Sequence, residues 1–320
     1  MLESFYKGKK VLVCGASGFV GSNLTKKLNE LGAVVTGTFY ENKPQYMNDH
    51  INYIRCDLSL FKDCMQATHN QDYVFMAAAN SSGAAIIENH PLTHLHPNII
   101  MNANILKASC NNYIDKFCFL SSNVVYPQCN KAVEESDCNN QFFDKYYIVA
   151  WMKRFTEIMC EMYSSKISSP MKSVVIRPAN LYGPYDKFCY PKSKVIPSLI
   201  RKAIERQVPL IVWGNGLDVK DFLYIDDFIE GLLLSFLFSD EYDVFNISSG
   251  QSVTINQILE IIINVSDYKE AIIEYDMNKP SMIPFRLISS RKVKNLTGWS
   301  PKVSIEEGIS RTIKWYNLHH

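Results

Sequence analysis

The spacing of apolar and polar positions divides the chain into short buried strands and longer amphipathic helices. Lys9–Cys14 is a compact apolar run, and Ser22–Leu31 carries Leu24, Leu28 and Leu31 on one helical face. Gly32 ends that helix as a C-cap glycine. Further apolar runs at Ala33–Phe39, Ile51–Cys56, Tyr73–Ala79, Lys116–Ser121 and Lys172–Arg177 predict strands. Pro97–Asn112 and Lys145–Ser165 predict long helices. This alternation predicts an α/β fold with a Rossmann-type doubly wound parallel sheet.

After Arg177 the rhythm changes. Pro178–Ser193 is rich in Pro, Gly and Tyr and reads as a substrate-side loop. Val195–Arg206 reads as a helix and Pro209–Trp213 as a strand. Phe222–Ile225 and Val244–Ile247 read as strands returning to the sheet or its edge. Thr254–Asn264 and Ile305–Tyr316 read as helices of a small C-terminal lobe. The expected division is a dinucleotide-binding domain over 1–178 and 217–248, with a substrate lobe over 179–216 and 249–320. Neither an internal repeat nor a low-complexity segment interrupts it.

Composition narrows the possibilities. The 320 residues are 47% hydrophobic and 20% charged, enough for a sizeable core. A net charge of +1 gives no reason to expect nucleic acid or a membrane surface as partner. No apolar run approaches a membrane span, and the N-terminus lacks a signal-peptide layout. Nine cysteines with no CxxC pair suit reduced thiols in a cytoplasmic protein, and no metal site is expected.

Candidate chemistry begins at GASGFVG. Gly15, Gly18 and Gly21 follow a strand and open a helix. There the backbone of Ser17, Gly18, Phe19, Val20 and Gly21 can approach a pyrophosphate at the helix N-terminus. Past the second strand, Glu41 suits the ribose hydroxyls of NAD, whereas Lys43 suits a 2′-phosphate. No arginine stands in that stretch, so NAD(H) is the expected cofactor and NADP(H) the alternative. Asp57, with Leu58, is placed for the adenine edge, and Ala77, Ala78 and Ala79 for the pyrophosphate and nicotinamide ribose.

GASGFVG, MAAANSSG, FLSSNVVYP, Lys153, RPANLYGPYD and VKDFLYIDD together resemble the extended short-chain dehydrogenase/reductases that modify nucleotide sugars. This is the NAD-dependent epimerase/dehydratase family. The SSG loop after Ala79, SSNVVYP, SKVIPSLIRKAIE and IVWGNG bring the likeness nearest to the GDP-fucose synthase and GDP-mannose 3,5-epimerase type. The resemblance implies that Ser122 bonds the sugar oxygen at the hydride-transfer carbon. It implies that Lys153 binds the nicotinamide ribose and lowers the pKa of a partner tyrosine.

The chain departs from that pattern in three places. Val149 stands where the family tyrosine should be, four residues before Lys153. Tyr146 shares the lysine's helical face at about 20° but lies ~10.5 Å away along the axis; Tyr147 is about 120° off. Asn123 and Val124 replace the Asp-Glu pair of the dehydratases and cannot do that acid/base work. Val124 and Lys194 also replace the cysteine and histidine of the 3,5-epimerases. The expected reaction is therefore oxidation or reduction at C4 of a nucleotide-activated sugar, GDP-linked by resemblance, of the kind used in bacterial-type surface polysaccharide synthesis. Tyr146, water or Lys153 would stand in for the tyrosine. The alternatives are an epimerase or epimerase-reductase, and a non-catalytic dinucleotide sensor.

The substrate side implied by the resemblance comprises Ser81, Ser82, Asn123, Asn180, Lys194, Arg201, Trp213, Lys220 and Arg286. Relatives also pair through a four-helix bundle. A homodimer is expected here, with Ile99, Ile100, Ile105, Ile148, Met152, Phe155 and Met159 on the apolar faces.

Overall fold

The computed structural model describes residues 1–81, 90–190, 192–279 and 282–320. Its strands are β1 (Lys10–Cys14), β2 (Val34–Phe39), β3 (Asn52–Arg55), β4 (Tyr73–Met76), β5 (Lys116–Leu120), β6 (Ala132–Val133), β7 (Lys172–Pro178) and β8 (Asn180–Tyr182). There follow β9 (Leu210–Trp213), β10 (Val219–Lys220), β11 (Phe222–Tyr224), β12 (Asp243–Ile247), β13 (Val253–Thr254), β14 (Ile273–Asp276) and β15 (Phe285–Ile288). The helices are α1 (Leu2–Tyr6), α2 (Phe19–Glu30), α3 (Phe61–Thr68), α4 (Leu95–Asn111) and α5 (Tyr147–Ser165). The later ones are α6 (Val195–Ile204), α7 (Ile225–Phe238), α8 (Ile255–Val265), α9 (Arg291–Thr297) and α10 (Ile305–His319).

A seven-stranded, fully parallel sheet runs in the order β3-β2-β1-β4-β5-β7-β12. The order reverses between β1 and β4, so a crevice opens at the carboxyl ends of those strands. Central strands covered on both faces need near-continuous apolar sequence, and all five residues of β5 are buried. Lys116 is the apparent exception. Its amine donates to the carbonyls of Phe236 and Ser239, supplying the buried cation with partners at the end of α7.

The C-terminal half differs from the sequence reading. Phe222–Tyr224 does not return to the large sheet; it pairs in parallel with Asn180–Tyr182. Val219–Lys220 joins a separate four-stranded sheet, β13-β10-β15-β6. Between Ile225 and Phe238 runs a buried helix with no counterpart in the strand reading. That stretch, IDDFIEGLLLSFLF, is apolar on nearly every face, so a helical stripe cannot be picked out. The helix packs against α2, α9 and the β7–β12 edge.

Candidate active site

The glycine loop is shaped by close approach. Gly15 has φ +80°, and a Cβ there would stand 2.6 Å from the Ala78 Cα. A Cβ on Gly21 would lie 2.0 Å from the Gly15 carbonyl oxygen. The two contacts draw β1, the exit of β4 and the start of α2 together. Gly18 is the N-cap of α2, and no side chain caps this 12-residue helix. The first-turn N–H groups, at Phe19, Val20 and Gly21, therefore face the crevice beside the half-buried Ser17. That cradle fits a pyrophosphate, and a dinucleotide bound there would use these residues.

Farther along the crevice, the Asp57 carboxylate accepts from the amide and hydroxyl of Ser59 at 2.9 and 2.7 Å, and Leu58 is buried beside it. Ala77 is tied to the Cys14 carbonyl at 3.1 Å; Ala78 and Ala79 follow at the rim. Glu41 and Lys43 are both exposed past β2. The sequence reading found no arginine in that stretch, but the neighbouring strand supplies one. Arg55 pairs in register with Phe39 and holds its guanidinium 5.9 Å from the Tyr40 ring centroid.

The exit of β5 meets α5 at Ser121, Ser122 and Lys153. Ser122 caps a 3₁₀ turn, its hydroxyl accepting the Val124 amide at 3.4 Å. The Lys153 amine donates to the Leu120 carbonyl at 2.8 Å and lies 4.9 Å from the Phe119 ring centroid. Burial pushes its pKa down to about 8, with the Glu157 carboxylate working the other way. One turn behind the lysine, Glu157 has no exposed surface. It accepts from Ser121 Oγ at 2.5 Å, from Arg177 Nε and Nη2 at 2.9 and 2.7 Å, and from Arg154 Nη1 at 3.2 Å. Arg177 also donates to the Tyr126 hydroxyl at 2.9 Å, which donates to Asn246 Oδ1 at 2.5 Å. This chain of partners locks the floor of the site. The sequence reading assigned Glu157 no role, because its partner Arg177 comes from β7, far along the chain.

Tyr146 stands at the N-cap of α5, preceded by a 3₁₀ turn over Asp144–Tyr146. Burial pushes its phenol up to about 12, and Arg286 is the charge it feels. Its electrostatic neighbour is thus an arginine of the C-terminal lobe. Val149 is half-buried and Val124 is buried. The exposed Lys194 amine lies 6.0 Å from the Phe19 ring centroid, so the substrate-side loop meets the cofactor loop there.

On the substrate side several side chains already have partners. Asn123 Nδ2 donates to the Pro178 carbonyl and Asn180 Nδ2 to the Asp221 carbonyl, at 2.9 and 3.0 Å. Arg201 pairs with Glu205 at 2.8 Å, and Lys220 pairs with Asp218 at 3.2 Å and donates to the Ile283 carbonyl. Arg286 is 2% exposed; its two Nη atoms hold the Tyr126 and Pro127 carbonyls, and its buried Nε has no partner among the described residues. Trp213 is half-buried between Tyr190 and Lys279. The Ser81 carbonyl accepts from Lys187 at 3.4 Å, while Ser82 lies outside the described residues.

Comparison with known proteins gives the family of the chain. The chain is 29% identical to a GDP-L-fucose synthase of Sinorhizobium fredii, covering 95% of this chain and 94% of the relative. It is 26% identical to GDP-mannose 3,5-epimerase 1 of Oryza sativa subsp. indica, covering 98% and 83%. Among solved structures, UDP-glucose 4-epimerase of Thermotoga maritima, crystallised with UDP-glucose, superposes with a TM-score of 0.86 at 27% identity, covering 96% and 98%. The model of the NAD dependent epimerase/dehydratase family matches residues 11–248, and the chain belongs to that family.

Proposed function

We propose that this protein catalyses NAD(P)-dependent oxidation or reduction at C4 of a GDP-linked sugar. The observation that carries the reading is the neighbourhood of Ser122. Its hydroxyl and the Lys153 amine stand at the β5 exit, whereas the adjoining positions are Asn123, held by Pro178, and Val124, buried and apolar. Elimination or removal of a carbon-bound proton needs a titratable group there. Hydride transfer needs only a held sugar oxygen and a positioned nicotinamide ribose, the roles assigned to Ser122 and Lys153. The bound nicotinamide would give or take the hydride. We take NAD(H) as the cofactor, with Glu41 on the ribose; tighter binding of NADPH than NADH would move that role to Lys43 and Arg55. Similarity to GDP-sugar enzymes supports the choice of base.

The test supplies GDP-L-fucose, GDP-mannose and UDP-glucose with NAD⁺ or NADP⁺ in deuterated water. The expected result is reduced nicotinamide with a GDP-sugar and no deuterium at C3 or C5. Deuterium at either carbon of GDP-mannose would replace this reading with epimerisation. Cofactor binding with no chemistry on any of the three would favour a sensor.

A second copy of the chain belongs, in this reading, on the α4–α5 face. Ile105 and Met152, two of the positions expected there, are already buried inside the protomer. The open apolar stripe is instead Tyr147, Trp151, Phe155 and Met162, each between 37% and 52% exposed. Trp151→Glu with Phe155→Glu should convert a dimer into a monomer in sedimentation at micromolar concentration. A wild-type monomer under the same conditions would remove the dimer from the account.

A further inference from the structure

We propose that His94 exchanges the proton with the sugar hydroxyl at the reacting carbon, the task left open by Val149. The inference rests on the redox reading above.

His94 is 2% exposed, and among the described residues neither ring nitrogen makes a well-formed hydrogen bond, the Asn80 main chain offering only a weak one. Leaving buried polar atoms poorly bonded costs stability, so such a ring points to a missing ligand. Its position says which. The residue closes the 3₁₀ turn Pro91–His94 that leads into α4, and this turn packs against α5. Helices α4 and α5 run parallel, each following a parallel strand of the same sheet, and Asn102 Nδ2 bonds Thr156 Oγ1 at 3.0 Å. Going back eight residues from that contact, about 12 Å of rise, puts His94, just ahead of α4, level with Ile148 and Val149.

The ring borders the Asn80 main chain and feels the Lys187 ammonium. Asn80 leaves the β4 exit, next to the alanines of the cofactor crevice. Asn98 fixes it there, accepting its amide and donating to its carbonyl, both at 2.9 Å. From the other side comes the 183–190 stretch. Lys187 donates to the Ser81 carbonyl at 3.4 Å, and Asp186, 6% exposed, also leaves Oδ2 buried without a partner among the described residues. Lys187 thus ties the segment carrying Asp186 to the Asn80–Ser81 stretch that borders His94, and both buried polar side chains keep atoms open to a ligand. Bound sugar hydroxyls would satisfy them.

The balance is simple. In oxidation the C4–H bond breaks with its electron pair moving to NAD⁺, the C4–O double bond forms, and the hydroxyl proton passes to an imidazole nitrogen. Reduction reverses each transfer. Burial lowers the imidazole pKa, with Asn80 opposing and Lys187 adding to the lowering, so the resting ring is neutral and able to accept.

The experiment compares wild type with His94→Ala, His94→Gln and the double variant His94→Ala/Val149→Tyr. His94→Gln keeps a side chain of similar size but cannot take up a proton. Both single variants should lose about 100-fold in kcat while NAD⁺ affinity stays within about threefold. Added imidazole, or the tyrosine at 149, should restore at least about tenfold of the lost rate. Activity of both single variants near wild type would overturn the assignment. So would losses that neither imidazole nor Val149→Tyr repairs.

Wild-type protein that takes no hydride from any of the three sugars would sink the redox reading instead. His94 is then judged by imidazole NMR with NAD⁺ and GDP-mannose. Ring signals that move on addition of the sugar keep it facing that site; unmoved signals remove it.

Discussion

Replacing Glu157 with alanine is expected to cost about 3–5 kcal/mol, the usual penalty for stranding one member of a buried ion pair. Arg177, itself 2% exposed, would keep its charge with only Tyr126 and the Glu135 carbonyl as partners. Ser121 would lose its 2.5 Å acceptor. Urea unfolding checks the prediction, and a loss below about 1 kcal/mol would contradict it. The double variant Glu157→Leu/Arg177→Met should be more stable than the sum of the single losses predicts, since no charge is left unpaired.

The same substitution reaches the site. Ser121 precedes Ser122, and Glu157 is the carboxylate that holds the Lys153 pKa up against burial. Glu157→Gln should therefore lower the Lys153 pKa further below about 8, readable by NMR of the labelled lysine. The ion pair links the β5 exit and α5, where Ser122 and Lys153 stand, to β7. A buried network there fixes geometry as well as stability.

How much of this was legible beforehand depends on whether the signal was local. The glycine cradle is a local signal: three glycines between a strand and a helix admit few other structures. The Rossmann order is nearly local, because parallel strands joined by helices have few allowed connections. Lys153 and Ser122 stood out through the resemblance of their motifs to the family pattern. Arg55 did not, because only strand pairing brings it beside Tyr40. His94 looked like one of several histidines, and its isolation is a property of three dimensions. The helix at Ile225–Phe238 was missed for a different reason. A segment buried on most sides loses the periodicity from which helices are read, and the adjoining FLY run matched a strand. Boundaries shifted where a turn intervened, as at Asp144–Tyr146, which moved the start of α5 to Tyr147.

Lys153→Met should abolish hydride transfer by about 100-fold or more, and it should also change how stability depends on pH. A buried ammonium is costly, which is why the folded pKa falls from 10.5 to about 8. Between those values the unfolded chain binds more protons than the folded one, so this lysine makes stability rise with pH across that window. The full swing is at most about 3 kcal/mol, from 1.36 kcal/mol per pH unit. Buried thiols act in the opposite sense. Burial pushes Cys56 and Cys64 up to about 12, so the unfolded chain loses those protons first and stability falls as pH climbs past 9. The net curve of wild type is therefore not diagnostic, but its difference from Lys153→Met cancels the thiols. That difference should favour the methionine variant most near pH 7 and should shift toward wild type between pH 8 and 10.5. Urea unfolding of both proteins across that range measures it. A difference independent of pH would mean that Lys153 keeps an ordinary pKa, and the amine at the β5 exit would then act as a fixed charge throughout the working range.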